Sequence, residues 1–205
     1  NQIIIGTYAL RNYDNPYLGI FSACASSVEG LILASILVDS QGYKNIAVNT
    51  SSHNASAEKQ FRYPNEYGGK KPDSITSTVT AATSVIVSSF SKDETKIRFT
   101  KATIGKIVDY EMNDPQDLGR CMAPACYNTL KEHLEDFCID VDYYDLIVSG
   151  DLSMLGKELF VNICYANGLN VNNNYNDCGV MIYDLENQNV HSGGSGCGCL
   201  PAVAF

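Results

Sequence analysis

The stretch Phe21-Ser22-Ala23-Cys24-Ala25-Ser26-Ser27-Val28-Glu29-Gly30 constrains this chain more than any other. A β-like run at 17–21 enters it and an apolar run at 31–38 leaves it, so it reads as a strand, a small-residue elbow and a helix. The Cys24 thiol then sits at or just before a helix start, where unpaired N–H groups and the helix dipole favour a thiolate. Small neighbours let a ligand approach the sulfur. Cys24 is a nucleophile, the remnant of one, or a packed small hydrophobe, and the elbow favours a pocket thiol. The helix expected over 26–40 carries Val28, Leu31, Ile32, Leu33, Ile36 and Leu37 with only small polar residues between them. A helix apolar nearly all round needs cover on more than one side, as between two sheets. Gly42 ends it and a strand is expected at 45–49, which gives the succession of a right-handed βαβ crossover.

Residues 50–73 break the pattern, being too polar for a core strand and too aromatic for a solvated linker. They read as a surface excursion held by Phe61, Tyr63 and Tyr67, or as a loop at the carboxyl end of a strand, where α/β folds place their sites. The opening residues Ser51-Ser52-His53-Asn54 favour the second reading. Arg62, Lys70 and Lys71 read as solvated charges able to steer an anion. Strands are expected at 76–89, 96–108 and 143–149, and helices at 123–137 and 155–165. A polar loop at 172–177 precedes an apolar run at 180–183. His133 and His191 are expected to face solvent. Gly193-Gly194-Ser195-Gly196 lacks dinucleotide-fingerprint spacing and reads as a tight approach between two parts of the chain. Ser195-Gly196-Cys197-Gly198-Cys199 repeats the form of the first elbow, pointing to two similar halves, 1–110 and 111–205.

The chain has 205 residues, 45% of them apolar, and a net charge of −9, which argues against nucleic acid as the main partner. No apolar run approaches the roughly 20 residues of a membrane helix. The eight cysteines lack C-x-x-C pairs and are expected to be reduced rather than disulfide-linked or zinc-bound. The opening on Asn1 rather than methionine reads as a missing true N-terminus, and the stop at Phe205, within an expected second buried helix, reads as a truncation.

The blocks FSACASSVEG (21–30), SSHNASAEKQFRYPNEYGGKKPD (51–73), TSTVTAATSVIVS (76–88), MAPA (122–125), YDLIVSGDLS (144–153), NDCGVMIYD (176–184) and GGSGCGC (193–199) together resemble the stage V sporulation protein AD family of the thiolase-like superfamily. The resemblance covers nearly the whole chain. It implies an α/β fold with five layers, α-β-α-β-α, made of two similar halves and present here incompletely. It further implies binding of dipicolinic acid, free or as its calcium chelate, and support for its uptake into the developing spore. Membrane proteins of the same operon would be partners, and a homodimer is implied as in other thiolase-like proteins. The location implied is the sporulating cell or spore, peripheral to the inner spore membrane or cytoplasmic. No resident cofactor is implied; calcium would enter only with the ligand.

The alternative is a thiolase-superfamily acyltransferase or 3-oxoacyl-synthase-like enzyme with Cys24 as nucleophile. Where related synthases carry a histidine-bearing motif, this chain resembles them only in position, with Ser149-Gly150-Asp151-Leu152-Ser153. Asn176-Asp177-Cys178 stands where they carry Asn-Thr-Ser. An anion beside the sulfur disfavours its thiolate and repels an enolate, which weighs against condensation. His53 lies in the wrong element to replace the imidazole by motif. Cys24, Ser52, His53, Asp151, Asn176 and Asp177 are therefore expected at a ligand site, with Asp151 or Asp177 as a calcium contact. Helix capping accounts for either aspartate equally well.

Overall fold

Small residues decide how the first part of the chain packs. In the computed structural model, which describes residues 3–61, 69–90 and 97–205, helix α1 (Ile3–Leu10) ends in a turn closed by Tyr13 N–H on the Leu10 carbonyl, 2.9 Å. Residues 16–22 follow without regular structure and join no ladder, so the strand expected at 17–21 is absent. Helix α2 (Ser26–Asp39) instead lies on an antiparallel pair, β1 (Asn45–Ser52) and β2 (Ala81–Ser88), in register from Asn45 opposite Ser88 to Ser52 opposite Ala81. This replaces the expected βαβ crossover. Alternation along β1 turns Ile46 and Val48 toward Ala34 and Val38 of α2. Gly30 is what lets the helix come so close, because a Cβ there would lie 2.7 Å from Val48 Cγ1.

Helix α2 buries one stripe, Ser26, Ser27, Gly30, Ala34 and Val38, while Val28 and Ile36 are 43% and 55% exposed. The expected two-sided burial is not what the described residues show. The start of the 50–73 block is also more regular than a loop: β1 runs through Ser52, and α3 (Asn54–Phe61) follows. Arg62, Tyr63 and Tyr67 lie outside the described residues. The strand expected from 76 begins only at Ala81, because 75–79 are engaged elsewhere. Ser77 N–H and Val79 N–H donate to the Gly193 and Ser195 carbonyls, each at 2.7 Å. The glycine run is thus the close approach that its composition indicates: at Gly194, φ is +138° and a Cβ would lie 2.6 Å from Ser77 N. Residues 97–108 form no strand; they run across the next helix without regular structure.

That helix, α4 (Leu118–Asp136), starts five residues before the position expected from its apolar spacing, because Asp117 caps it by accepting from Arg120 N–H at 3.1 Å. It packs on α5 (Ser153–Ala166) through two bare glycines. A Cβ at Gly156 would lie 2.5 Å from the Gly119 carbonyl oxygen. Around this crossing Ala123, Leu134, Leu152, Phe160, Cys164, Val171 and Tyr175 form the larger core. The expected strand over 143–149 shortens to β3 (Ile147–Ser149), since Val141–Tyr143 is a 3-10 turn. β3 pairs in parallel with β4 (Tyr175–Asp177), which forms the end of the expected polar loop. Two short helices, α6 (Cys178–Met181) and α7 (Leu200–Ala204), complete a mixed α/β arrangement of helices and small sheets.

Candidate functional site

The first elbow folds as its small residues predict. Ala23 takes φ +44°, an unusual conformation for a residue with a Cβ. Ser22 N–H donates to Ser26 Oγ at 2.9 Å, and Ser26 Oγ donates to the Ala23 carbonyl at 2.8 Å. Cys24 is held half-buried in the resulting 3-10 turn. Its thiol donates to Asp151 Oδ2 at 3.0 Å. Asp151, only 4% exposed, accepts Ser195 N–H on its other oxygen at 2.7 Å. Both small-residue elbows therefore meet on one buried carboxylate. Loss of the Cys24 proton would set two anions 3.0 Å apart with little water between them, so the pairing favours the thiol over the nucleophilic thiolate.

Ser52 joins β1 to the second elbow. Its Oγ donates to the Val79 carbonyl at 2.7 Å and accepts Gly198 N–H at 3.3 Å. One residue earlier, the Ser51 carbonyl accepts from Cys197 Sγ at 3.3 Å. His53 is exposed at the entry to α3, and its carbonyl caps the helix by accepting Ala57 N–H. Its imidazole is thus not buried with Asp151, and Asn54 beside it is tied to the Thr78 carbonyl at 2.8 Å. Asn176 is half-buried, with its Oδ1 accepting Lys157 Nζ at 2.8 Å.

Asp177 is fully buried, and its oxygens are taken by the chain itself. Oδ2 accepts from Ser149 Oγ at 2.5 Å and Leu152 N–H at 2.9 Å; Oδ1 accepts from Ser153 N–H and Gly179 N–H, each at 2.9 Å. Burial pushes this carboxyl above the usual range, while the Ser149 hydroxyl and the Leu152 and Ser153 N–H groups pull it back. It satisfies the first N–H groups of both α5 and α6, which is the capping role. A calcium ion would have to displace those donors, so Asp177 does not fit as a metal ligand. Asp151 is one carboxylate, far short of the six to eight oxygens calcium takes. Among the described residues no group of three or more histidine, cysteine or acidic side chains is arranged to hold a metal.

All eight cysteines are free thiols. Burial pushes Cys178 up to about 12, with the Asp177, Cys199 and Asp151 charges adding to it, and also raises Cys197 and Cys199. These are packing thiols rather than reactive ones. Neither remaining histidine simply faces water. His133 lies between two hydroxyls, and His191 Nδ1 is 3.9 Å from Asp73 Oδ1. Ser195 and Lys157 were not foreseen as site residues. The repeated elbow was a signal for Ser195; nothing local marks Lys157 as a partner of Asn176.

The geometry joins blocks that are far apart in the chain, and comparison with known proteins accounts for them together. A family model described as stage V sporulation protein AD matches residues 1–205. The chain belongs to the stage V sporulation protein AD family. It is 44% identical over 205 residues to stage V sporulation protein AD of Bacillus subtilis (strain 168), covering 100% of this chain and 60% of that relative. It thus spans 60% of the length of the curated relative it matches. Family membership fits a protein of the sporulating cell. No helix among the described residues is long and apolar enough to cross a membrane.

Proposed function

We propose that this chain is part of a non-catalytic small-molecule binding protein of sporulation that takes dipicolinic acid, free or as its calcium chelate, and supports its uptake into the developing spore. The single observation that carries the non-catalytic part is the 3.0 Å bond from the Cys24 thiol to Asp151. A thiolase-like condensing enzyme needs that sulfur as a thiolate and needs neutral or cationic donors for the developing oxyanion. A buried carboxylate on the sulfur opposes both. The ligand reading rests on family membership together with the setting of Cys24, a half-buried polar thiol at the start of a long helix and beside the second elbow.

In this reading dipicolinate sits over Cys24, near the Ser52–His53 end of β1, with Asn176 beside Lys157 toward the far side. Lys157 is a cation suited to one ligand carboxylate. Calcium comes and leaves with the ligand, and Asp151 gives it at most one oxygen. The whole protein is proposed to have the five-layer thiolase-like arrangement, with 1–110 and 111–205 belonging to its two halves. It would work as a homodimer beside the membrane proteins of its operon, in the cytoplasm or against the inner spore membrane.

Calorimetric titration of dipicolinate against the whole protein, with and without calcium, tests the reading. Saturable binding is expected. Cys24→Ala removes little volume and a weak donor and should weaken binding about tenfold, near 1.4 kcal/mol. Cys24→Leu adds bulk among small residues and should nearly abolish it with an unchanged melt. Parent-like affinity in Cys24→Leu would move the ligand elsewhere. A stoichiometric acetyl adduct on Cys24 after incubation with acetyl-coenzyme A, seen by intact mass and turning over, would replace the binding reading with the acyltransferase one.

A further inference from the structure

Asn167-Gly168 is the single Asn-Gly pair of the chain, and the fold leaves it exposed where α5 stops. Gly168 takes φ +81°, the left-handed turn that ends many helices, with nothing within 4 Å of where a Cβ would stand. Two crossed bonds close the turn. Gly168 N–H donates to the Tyr165 carbonyl at 3.1 Å, and Leu169 N–H donates to the Cys164 carbonyl at 2.9 Å. Leu169 packs against the larger core and anchors the stop. Asn167 Nδ2 is turned back along the helix and donates to the Ile163 carbonyl at 2.8 Å. The side-chain amide and the backbone nitrogen that follows it are therefore neighbours, yet each is tied to a different carbonyl of the last turn.

We propose that Asn167-Gly168 is a self-modification site, converted to aspartate and isoaspartate at a pace set by opening of the α5 C-terminal cap. Asparagine amides are labile, and a following glycine leaves the approach to Cγ unhindered because it has no Cβ. The Gly168 nitrogen, its proton lost, attacks Asn167 Cγ. The N–Cγ bond forms, the Cγ–Nδ2 bond breaks, and Nδ2 leaves with the proton as ammonia. Water then opens the five-membered imide at either carbonyl. One water enters and one ammonia departs, with no change of oxidation state. The closed cap opposes this in three ways. Tyr165 holds the Gly168 N–H, Ile163 holds the amide, and the peptide after Asn167 must swing away from its ψ of +15° to close the ring. All three restraints belong to one turn, so one local opening releases them together. Isoaspartate carries a side-chain carbon into the main chain. Leu169 then loses its reach to Cys164, and the slack passes along Val171, 1% exposed, toward β4 and Asp177.

Peptide mass spectrometry of the whole protein, aged at neutral pH folded and in urea, tests this, with isoaspartate scored by an isoaspartyl methyltransferase. Conversion should concentrate at Asn167 over Asn172 and Asn187, which are also exposed but precede Asn173 and Gln188. It should run about tenfold or more faster in urea than in the folded protein. Leu169→Ala loosens the anchor and should speed the folded-state conversion about threefold, with the rate in urea unchanged. Asn167→Gln keeps an amide that can close only a six-membered ring, and should all but end the conversion at that position. No preference for Asn167 in urea would overturn the site. A folded rate equal to the rate in urea would overturn the gate, and so would a Leu169→Ala protein that converts as slowly as the parent.

Discussion

Replacing Gly156 by alanine probes the joint that positions the Asp151 turn. A Cβ at Gly156 would lie 2.5 Å from the Gly119 carbonyl oxygen, 2.6 Å from its carbon and 2.8 Å from its Cα. A relaxed carbon–oxygen contact needs about 3.3 Å, so the helices must part by about 0.8 Å. The obstacle is backbone on both sides, and no side chain can turn away. A radial gap of that size forfeits about a quarter to a half of the dispersion energy across the joint, where Ala123 and Phe160 are 0% exposed. Overpacking costs about 1–3 kcal/mol or more, and lost contact adds to it. Alanine returns about 1 kcal/mol of helix propensity. The net expectation is a loss of about 2–3 kcal/mol, or about 5–10 °C in Tm for a chain of this length. Gly168→Ala is the control. Its φ is +81° with nothing within 4 Å of the added atom, so backbone strain of about 1 kcal/mol is its whole cost. Thermal and urea melts followed by circular dichroism compare the two. A Gly156→Ala protein as stable as the parent would refute the close-joint reasoning. A loss no larger than that of Gly168→Ala would do the same.

Other consequences concern the carboxylates. Asp177→Ala orphans three buried N–H groups, on Leu152, Ser153 and Gly179, and should cost about 3–5 kcal/mol in a urea melt; a loss under about 1 kcal/mol would show that water replaces the carboxylate at no penalty. Asp151→Asn turns an anion beside Cys24 into a neutral amide, and alkylation of Cys24 by iodoacetamide near neutral pH, followed by peptide mass spectrometry, should quicken about tenfold. An unchanged rate would mean that Asp151 does not hold the thiol proton. Ser52→Ala removes the link from β1 to the second elbow and should destabilise by about 1–2 kcal/mol, with no loss expected if Gly198 N–H finds water.

Helices α2, α4 and α5 were legible in the sequence because a helix is decided by residues three and four apart, and so were the elbow at Cys24 and the start of β1. The glycine run at 193–196 was legible as a close approach for a related reason: only residues without a Cβ allow one. The capping reading of Asp177 was available from its place before Val180, although its second role, at the start of α5, was not. Family membership too was carried by the residue blocks alone. Strands behaved differently. Residues 17–21 and 97–108 have the composition of strands but no partner among the described residues, and a ladder depends on a partner that composition does not name. The pairing of 75–79 with the glycine run likewise shortened β2. The site was least legible of all. Cys24 and Asp151 are 127 positions apart and Asp151 and Ser195 are 44 apart, so only tertiary packing could bring both elbows onto one carboxylate. Burial then set the contact, because the chain folds the Cys24 thiol onto a carboxylate only 4% exposed, at 3.0 Å, where a hydrogen bond is stronger than in water.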